Sequence, residues 1–340
     1  MIDRPQDTPV TGPERAPSAP SAVHADAPNV SRRDFFHGLV GVAGLGASLA
    51  LPQSLRARTT LSDSEPGARP LVRMPGEPQV GQRPASYVED LLELLLDRAS
   101  YTHRTSFVPG MTVPRTLQEM RKGRVDVCAL TSNTESVEGV TPLRYPLFRG
   151  LLGVRVLLAR RQQAAEIART PDLDALKRRY RYGSGADWVD RNALEALGFR
   201  VVTSPSYPGL FQMLRNGRFD IFSRGVTEAY KELDDPHLGE DLTVVPDIAL
   251  AYPLDSYFFV SDSNPALFRA LHDGMRRARQ DGSLNRLLYG HFGNSLHRAQ
   301  LPARRWWRVD GYPVLPGTPL DLFDLSNPEA AERLGAGRKA

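Results

Sequence analysis

The chain has 340 residues, 41% hydrophobic and 24% charged, with 43 basic against 39 acidic side chains and a formal net charge of +4. That length buries a full core in about two domains or lobes, and the composition is that of a water-soluble globular protein. The small basic excess is mostly arginine and scattered, and no basic run is interleaved with aromatics, which argues against nucleic acid as a partner.

Residues 1 to 30 are rich in Pro, Ala and polar residues and read as disordered. Ser31-Arg32-Arg33-Asp34-Phe35-Phe36-His37 follows, and then an apolar, Gly/Ala-rich stretch from Gly38 to Leu51. This resembles a twin-arginine translocation signal, with the departure that Phe36-His37 stand where leucine and lysine are commoner. The apolar stretch is too short and too glycine-rich for a transmembrane helix, and Ser48-Leu49-Ala50 suits a cleavage site. An anchoring N-terminal helix is the alternative. The expectation is export by the twin-arginine route to the periplasm, with residues 1–50 as the signal region and no stable membrane insertion once processed.

Residues 51–70 read as a polar linker. Order is expected from Leu71-Val72-Arg73-Met74, a short strand. Ser86 with Glu89 three residues on forms a capping box, and Tyr87 to Arg98 reads as a helix with a broad leucine face. Pro114 to Arg121 is a second helix, stopped by Gly123, and Val125 to Leu130 a buried strand. The single cysteine, Cys128, lies in that run. It forms no internal disulfide and reads as a buried structural thiol. The alternation then repeats. Leu173 to Arg178 is helical and Tyr180 to Tyr182 extended. Trp188 to Leu197 is a helix ended by Gly198, and Val201 to Thr203 a strand. Leu210 to Asn216 is a helix ended by Gly217, Phe219 to Phe222 a strand, and Val226 to Leu233 a helix. Asn264-Pro265 opens a long helix to about Arg279. Asp281-Gly282 turns the chain into a last helix, to about Phe292, and after Gly311 it is Pro-rich and irregular. Strands alternating with helices at this spacing argue for an α/β fold with largely parallel sheets.

One internal echo organises the pattern. Leu117-Gln118-Glu119-Met120-Arg121-Lys122-Gly123-Arg124-Val125-Asp126 aligns with Phe211-Gln212-Met213-Leu214-Arg215-Asn216-Gly217-Arg218-Phe219-Asp220. Each is a helix, a glycine suited to the left-handed residue that ends it, and a buried strand. Two copies suit two similar lobes rather than a solenoid, although such units also recur by chance in α/β proteins.

The echo, the Thr131-Ser132-Asn133-Thr134 loop, Gly150 to Leu158, Gly183-Ser184-Gly185-Ala186-Asp187-Trp188-Val189-Asp190, Tyr207 to Asp220, Ser223 to Glu228 and Tyr252 to Val260 together resemble the type II periplasmic solute-binding proteins. The resemblance is to the amino-acid-binding-like family 3, over about residues 71 to 310. It implies an α/β, type II periplasmic-binding-protein fold with two lobes joined by two hinge strands. Lobe 1 would be 71–156 plus 260–310, lobe 2 would be 157–259, and 311–340 a C-terminal tail. A small-molecule ligand would sit between the lobes, with an ABC permease or a membrane sensor as partner.

Ligands of open α/β sheets collect at the carboxyl ends of strands. That points to Thr131, Ser132 and Thr134 on lobe 1, whose hydroxyls can also serve simply as turn caps. On lobe 2 it points to Ser184 and Gly185, placed between a strand and a helix start where backbone N–H groups attract anions. The spacing of Gly183, Gly185 and Trp188 is not that of a dinucleotide-binding turn. Asp187 can cap the helix instead. Ser223 and Arg224 follow the second echo's strand, and Arg224 can either grip a carboxylate or phosphate or pair with Glu228 one turn on. Trp188 and Tyr207 can wall the pocket or pack in the core. Amino-acid binders of the resembled family carry Thr-x-x-Arg after the first strand. Here Thr134 is followed by Glu135, Ser136 and Val137, which puts an amino-acid ligand in doubt.

The seven histidines are isolated, with no HExxH or CxxC arrangement, so neither metal nor cofactor is expected. The reading is capture of a small anionic or zwitterionic solute. Two alternatives stay open. One is a dehydratase-type enzyme on the same fold, using Glu135, Asp187 or Glu228. The other is a family member that has lost its ligand and binds a protein partner, which an immobile hinge would favour. Trp306-Trp307, among Arg304, Arg305 and Arg308, is expected to fix the tail onto lobe 1 or to offer a contact surface.

Overall fold

The computed structural model describes residues 69–76, 86–108, 111–131, 138–188 and 191–326. The export signal read at residues 31–51 and the candidates Ser132 and Thr134 lie outside them.

The first sheet group begins with β1 (Leu71–Pro75), parallel to β2 (Arg104–Val108). The amide of Asp126 donates to the Arg73 carbonyl at 2.8 Å, leading into β3 (Val127–Thr131) beside β1. β3 pairs antiparallel with β11 (Ser256–Ser261), and β11 with β4 (Val140–Pro142). The spatial order is therefore β2, β1, β3, β11, β4. The second sheet runs β7 (Arg200–Ser204), β6 (Arg181–Gly185), β8 (Ile221–Gly225), β5 (Val154–Arg160), β10 (Ile248–Ala251), β12 (Arg305–Arg308), with β9 (Leu242–Val244) also on β5. In each sheet the fourth strand has just arrived from the other lobe: β11 in the first, β5 in the second. This is the expected two-lobed α/β architecture with two hinge crossings, 143–153 and 252–255, but the sheets are mixed rather than largely parallel, because β5 and β11 enter antiparallel to their neighbours.

The helices follow the expected pattern. α1 (Tyr87–Arg98) starts in a complete capping box in which the Glu89 amide donates to Ser86 Oγ and the Ser86 amide to Glu89 Oε2. Its Leu91, Leu92, Leu95 and Leu96 are fully buried against α9 (Pro265–Gln280). Each Leu buried this way is worth about 1.5–3 kcal/mol. α10 (Ser283–Ala299) runs seven residues past the expected end at Phe292, because Leu296 and Ala299 continue the buried face beyond Gly290 and Gly293.

The echo is a real structural repeat. α2 (Val113–Arg121) and α6 (Tyr207–Arg215) end at Gly123 and Gly217, both left-handed at φ +64° and +68°. In both copies the aspartate after the glycine grips an arginine on a neighbouring strand, β1 in the first lobe and β6 in the second. Asp126 accepts from the backbone amide and Nε of Arg73, both at 2.8 Å. Asp220 accepts from the same two atoms of Arg181, at 2.9 and 3.3 Å.

Three boundaries differ from expectation. The switches placed at residues 156 and 259 fall inside β5 and β11, which pair wholly within the second and the first sheet. Trp306 and Trp307 lie on β12, at the edge of that same sheet beside β10. The tryptophan pair therefore belongs to lobe 2, not lobe 1, because β12 extends the sheet past β10 in parallel.

Candidate functional site

The topology sets which strand ends meet. β11 begins just after the second crossing, and antiparallel β3 therefore ends there, Thr131 opposite Ser256. β5 begins just after the first crossing, so antiparallel β8 ends there, Gly225 opposite Arg155. β6 runs parallel to β8 and ends on the same side. The carboxyl ends of β3, β6 and β8 thus face the crossings from both lobes, where ligands of open α/β sheets collect.

Ser184 and Gly185 are the last residues of β6, buried within the strand rather than in a strand–helix turn. The following helix is described over α5 (Arg191–Ala196). The glycines here make room for aromatic rings. A Cβ on Gly183 would lie 2.2 Å from the Phe219 ring, and one on Gly185 2.3 Å from the Trp188 indole. Trp188 covers that glycine and stacks on Phe222, centroids 5.8 Å apart.

Ser223 and Arg224 likewise lie within β8, not after it, and both are buried. Arg224 Nε donates to both carboxylate oxygens of Glu232, at 3.0 and 2.9 Å, and Nη2 to Glu232 Oε1 at 2.6 Å. Nη2 also pairs with Glu228 Oε2 at 2.8 Å. Glu228 precedes α7 (Ala229–Asp234) and accepts from the Gly225 amide at 3.0 Å. The guanidinium lies 4.8 Å from the Trp188 ring centroid, and the Tyr207 hydroxyl, from the first turn of α6, donates to Glu232 Oε1 at 2.6 Å. Burial by itself favours loss of the Arg224 proton, but Glu228 and Glu232 outweigh it and hold its pKa well above the usual value. Burial raises the Glu228 carboxyl against the pull of Arg224, and raises the Tyr207 phenol likewise.

Trp188, Tyr207 and Arg224 are therefore brought together, and Ser223 joins them through the backbone. Arg155 Nη2 donates to the Ser223 carbonyl at 3.0 Å and its Nη1 to the Leu152 carbonyl at 3.1 Å, with Glu228 Oε1 at 3.8 Å. Two arginines face two glutamates, so the cluster is charge-balanced before any guest arrives. Glu228 keeps 24% of its side chain exposed, against 3% for Arg224 and Glu232, so it is the charge a guest would meet.

Two groups escaped the sequence reading. Glu232 stands eight residues from Arg224, a spacing whose meaning depends on how β8 hands over to α7. Asp255 sits fully buried in the second crossing and accepts from the amides of Phe148 at 2.9 Å, Gly150 at 2.6 Å and Ser256 at 2.8 Å. Burial pushes its carboxyl up to about 7, against the opposing pull of those amides. Two grooves at the surface, about 320 Å³ at Thr141, Asp262 and Arg269 and about 660 Å³ at Pro114, Arg115 and Arg121, include none of the candidate residues.

No protein-family model matches this sequence, and no curated protein matches it at a significant level. Among solved structures, the periplasmic VFT2 domain of Bordetella pertussis BvgS is similar at 17% identity and TM-score 0.49, over 65% of this chain and 92% of that one. A histidine kinase sensor domain with similarity to periplasmic binding proteins aligns at 15% identity and TM-score 0.46, over 66% and 96%. An ancestral arginine-binding protein bound to arginine aligns at 14% and 0.47, over 66% and 99%. The chain's own topology, two α/β lobes joined by two crossings that lead into β5 and β11, is the arrangement expected above for the type II periplasmic-binding-protein fold.

Proposed function

We propose that the protein is a periplasmic solute-binding protein, exported by the twin-arginine route, that captures a small amino-acid-like solute between its lobes for an ABC transporter or a membrane sensor. The observation that carries this reading is the convergence of the carboxyl ends of β3, β6 and β8 on the two crossings, with Trp188, Tyr207 and the Arg224–Glu228 pair at the lobe 2 side. The charge balance of that cluster favours a zwitterion over a simple anion. A lone carboxylate would have to displace Glu228 or Glu232 from Arg224, at a cost of breaking a buried pair. A dehydratase reading gains little from Glu228, since both its oxygens are already engaged, by the Gly225 amide and by Arg224.

A thermal-shift screen of the chain from Leu51 against amino acids, organic acids, polyamines and phosphorylated metabolites tests the reading. A ligand that binds only the folded state raises Tm by mass action. The expected hit is a zwitterionic or amino-acid-like compound whose shift shrinks in Trp188→Ala and Glu228→Gln. A folded protein with no hit in any class would sink the solute-binding reading and favour a protein partner.

A further inference from the structure

Beyond β12 the chain runs back across the hinge. The Val309 amide donates to the Ala251 carbonyl at 2.9 Å, the last residue of β10 on lobe 2. Tyr312 then stacks on Tyr252 of the second crossing, centroids 4.7 Å apart and planes at 28°. The Pro316 carbonyl accepts from Arg144 Nε at 3.0 Å, in the first crossing. Leu315 and Phe323 bury themselves in the lobe 1 cluster built on Leu117, Met120, Tyr257 and Phe259. Asp324 pairs with Arg149 in the first crossing, and the Leu325 amide donates to the Arg149 carbonyl at 3.0 Å. Phe323 and Ser326 close over Gly150, where an added Cβ would meet them at 3.1–3.2 Å.

We propose that Val309–Ser326 is a strap that fixes the angle between the lobes, so that the cleft has a preset width and the hinge swings only when the strap is displaced. The segment is anchored on lobe 2 at one end, on lobe 1 at the other, and on both crossings between. On lobe 2 its anchor is beside β10 and β12, whereas Ser184, Gly185, Ser223 and Arg224 lie on β6 and β8 of that sheet. α10 adds a second brace. It packs on α1 and α9 of lobe 1, while Arg298 pairs with Asp234 on α7 of lobe 2 at 2.6 Å. A hinge that closes on ligand must absorb its rotation in a few backbone positions; here those positions are bonded to the strap. The consequence for ligand capture rests on the cleft reading above, whereas the strap itself does not.

The test severs the strap after folding. A protease-recognition sequence is inserted between Pro313 and Val314, and spin labels are placed through Lys122→Cys on lobe 1 and Gln212→Cys on lobe 2, both exposed sites. Cys128 is buried at 3% exposure and stays unlabelled. The interlobe distance distribution, measured by double electron–electron resonance without any ligand, is expected to be single and narrow in the intact chain and to broaden about twofold or more after the cut. A Tyr312→Ala, Asp324→Ala variant loosens the strap without an insertion and is read in the same way. Equal widths before and after cutting, or a broad distribution in the uncut chain, would overturn the strap. Neither outcome bears on the ligand screen, so the two readings fail separately.

Discussion

Arg224 and Glu232 form a closed pair inside lobe 2, joined through Nε and Nη2 at 2.6–3.0 Å with each side chain only 3% exposed. A pair this deep has paid its desolvation, so what matters is whether both partners are present.

Removing one partner should therefore be far worse than removing both. Glu232→Gln is expected to cost about 3–5 kcal/mol, because it leaves the guanidinium with weakened compensation. The double variant Arg224→Met, Glu232→Leu is expected to recover most of that loss. Urea unfolding of wild type, single and double variant at one pH checks it, and a double variant no more stable than Glu232→Gln would show that the pair is not coupled.

Asp255 gives the fold a pH signature. Its folded carboxyl titrates near 7, above the usual unfolded value, so the folded state holds the proton more tightly. The stability this group lends is full below about pH 4 and is lost as pH rises through about 7, on the order of 4 kcal/mol in all. Asp255→Asn should remove that slope and be relatively less destabilising at pH 8 than at pH 5. Wild-type and variant unfolding free energies measured across that range decide it; parallel curves would refute the assignment.

The crossings touch backbone to backbone. A Cβ on Gly153 would lie 1.7 Å from the Tyr252 carbonyl oxygen, and the Tyr252 amide donates to the Gly153 carbonyl at 3.2 Å. Gly153→Ala must push the two crossings apart, at about 1–3 kcal/mol or more. The expected result is a lowered Tm together with faster amide exchange at Tyr252 and Leu254; an unchanged Tm would refute a close backbone contact between the crossings.

Phe323 is the strap's main apolar anchor, 5% exposed among Leu315, Tyr257 and Phe259. Phe323→Ala is expected to cost about 3–5 kcal/mol if the cavity stays open and less if the tail peels away. Limited proteolysis separates the two cases, since a peeled tail is cut near Gly311–Gly317 while the rest of the chain survives.

The amino-acid sequence by itself determined the local grammar of this protein. Ser86 and Glu89 announce α1, Asn264-Pro265 announces α9, and the paired helix–glycine–aspartate segments announce two like lobes. Those signals are short-range, because caps, turns and hydrophobic periods act within a few residues. Tertiary structure alone decided the rest. Ser223 and Arg224 read as a loop after a strand, yet sheet pairing with β5 carries β8 through Gly225 and buries both. Arg224 could equally have gripped a ligand or Glu228; packing of α7 brought Glu232 to it as well. Asp255 looked like any acid before a strand until the crossing enclosed it. The tryptophans of β12 read locally as part of lobe 1, but β12 joins the far sheet, and the tail beyond it returns across the hinge. Each of these outcomes depends on segments far apart in the chain meeting in space, and burial and pairing at such meetings have no signature in local sequence.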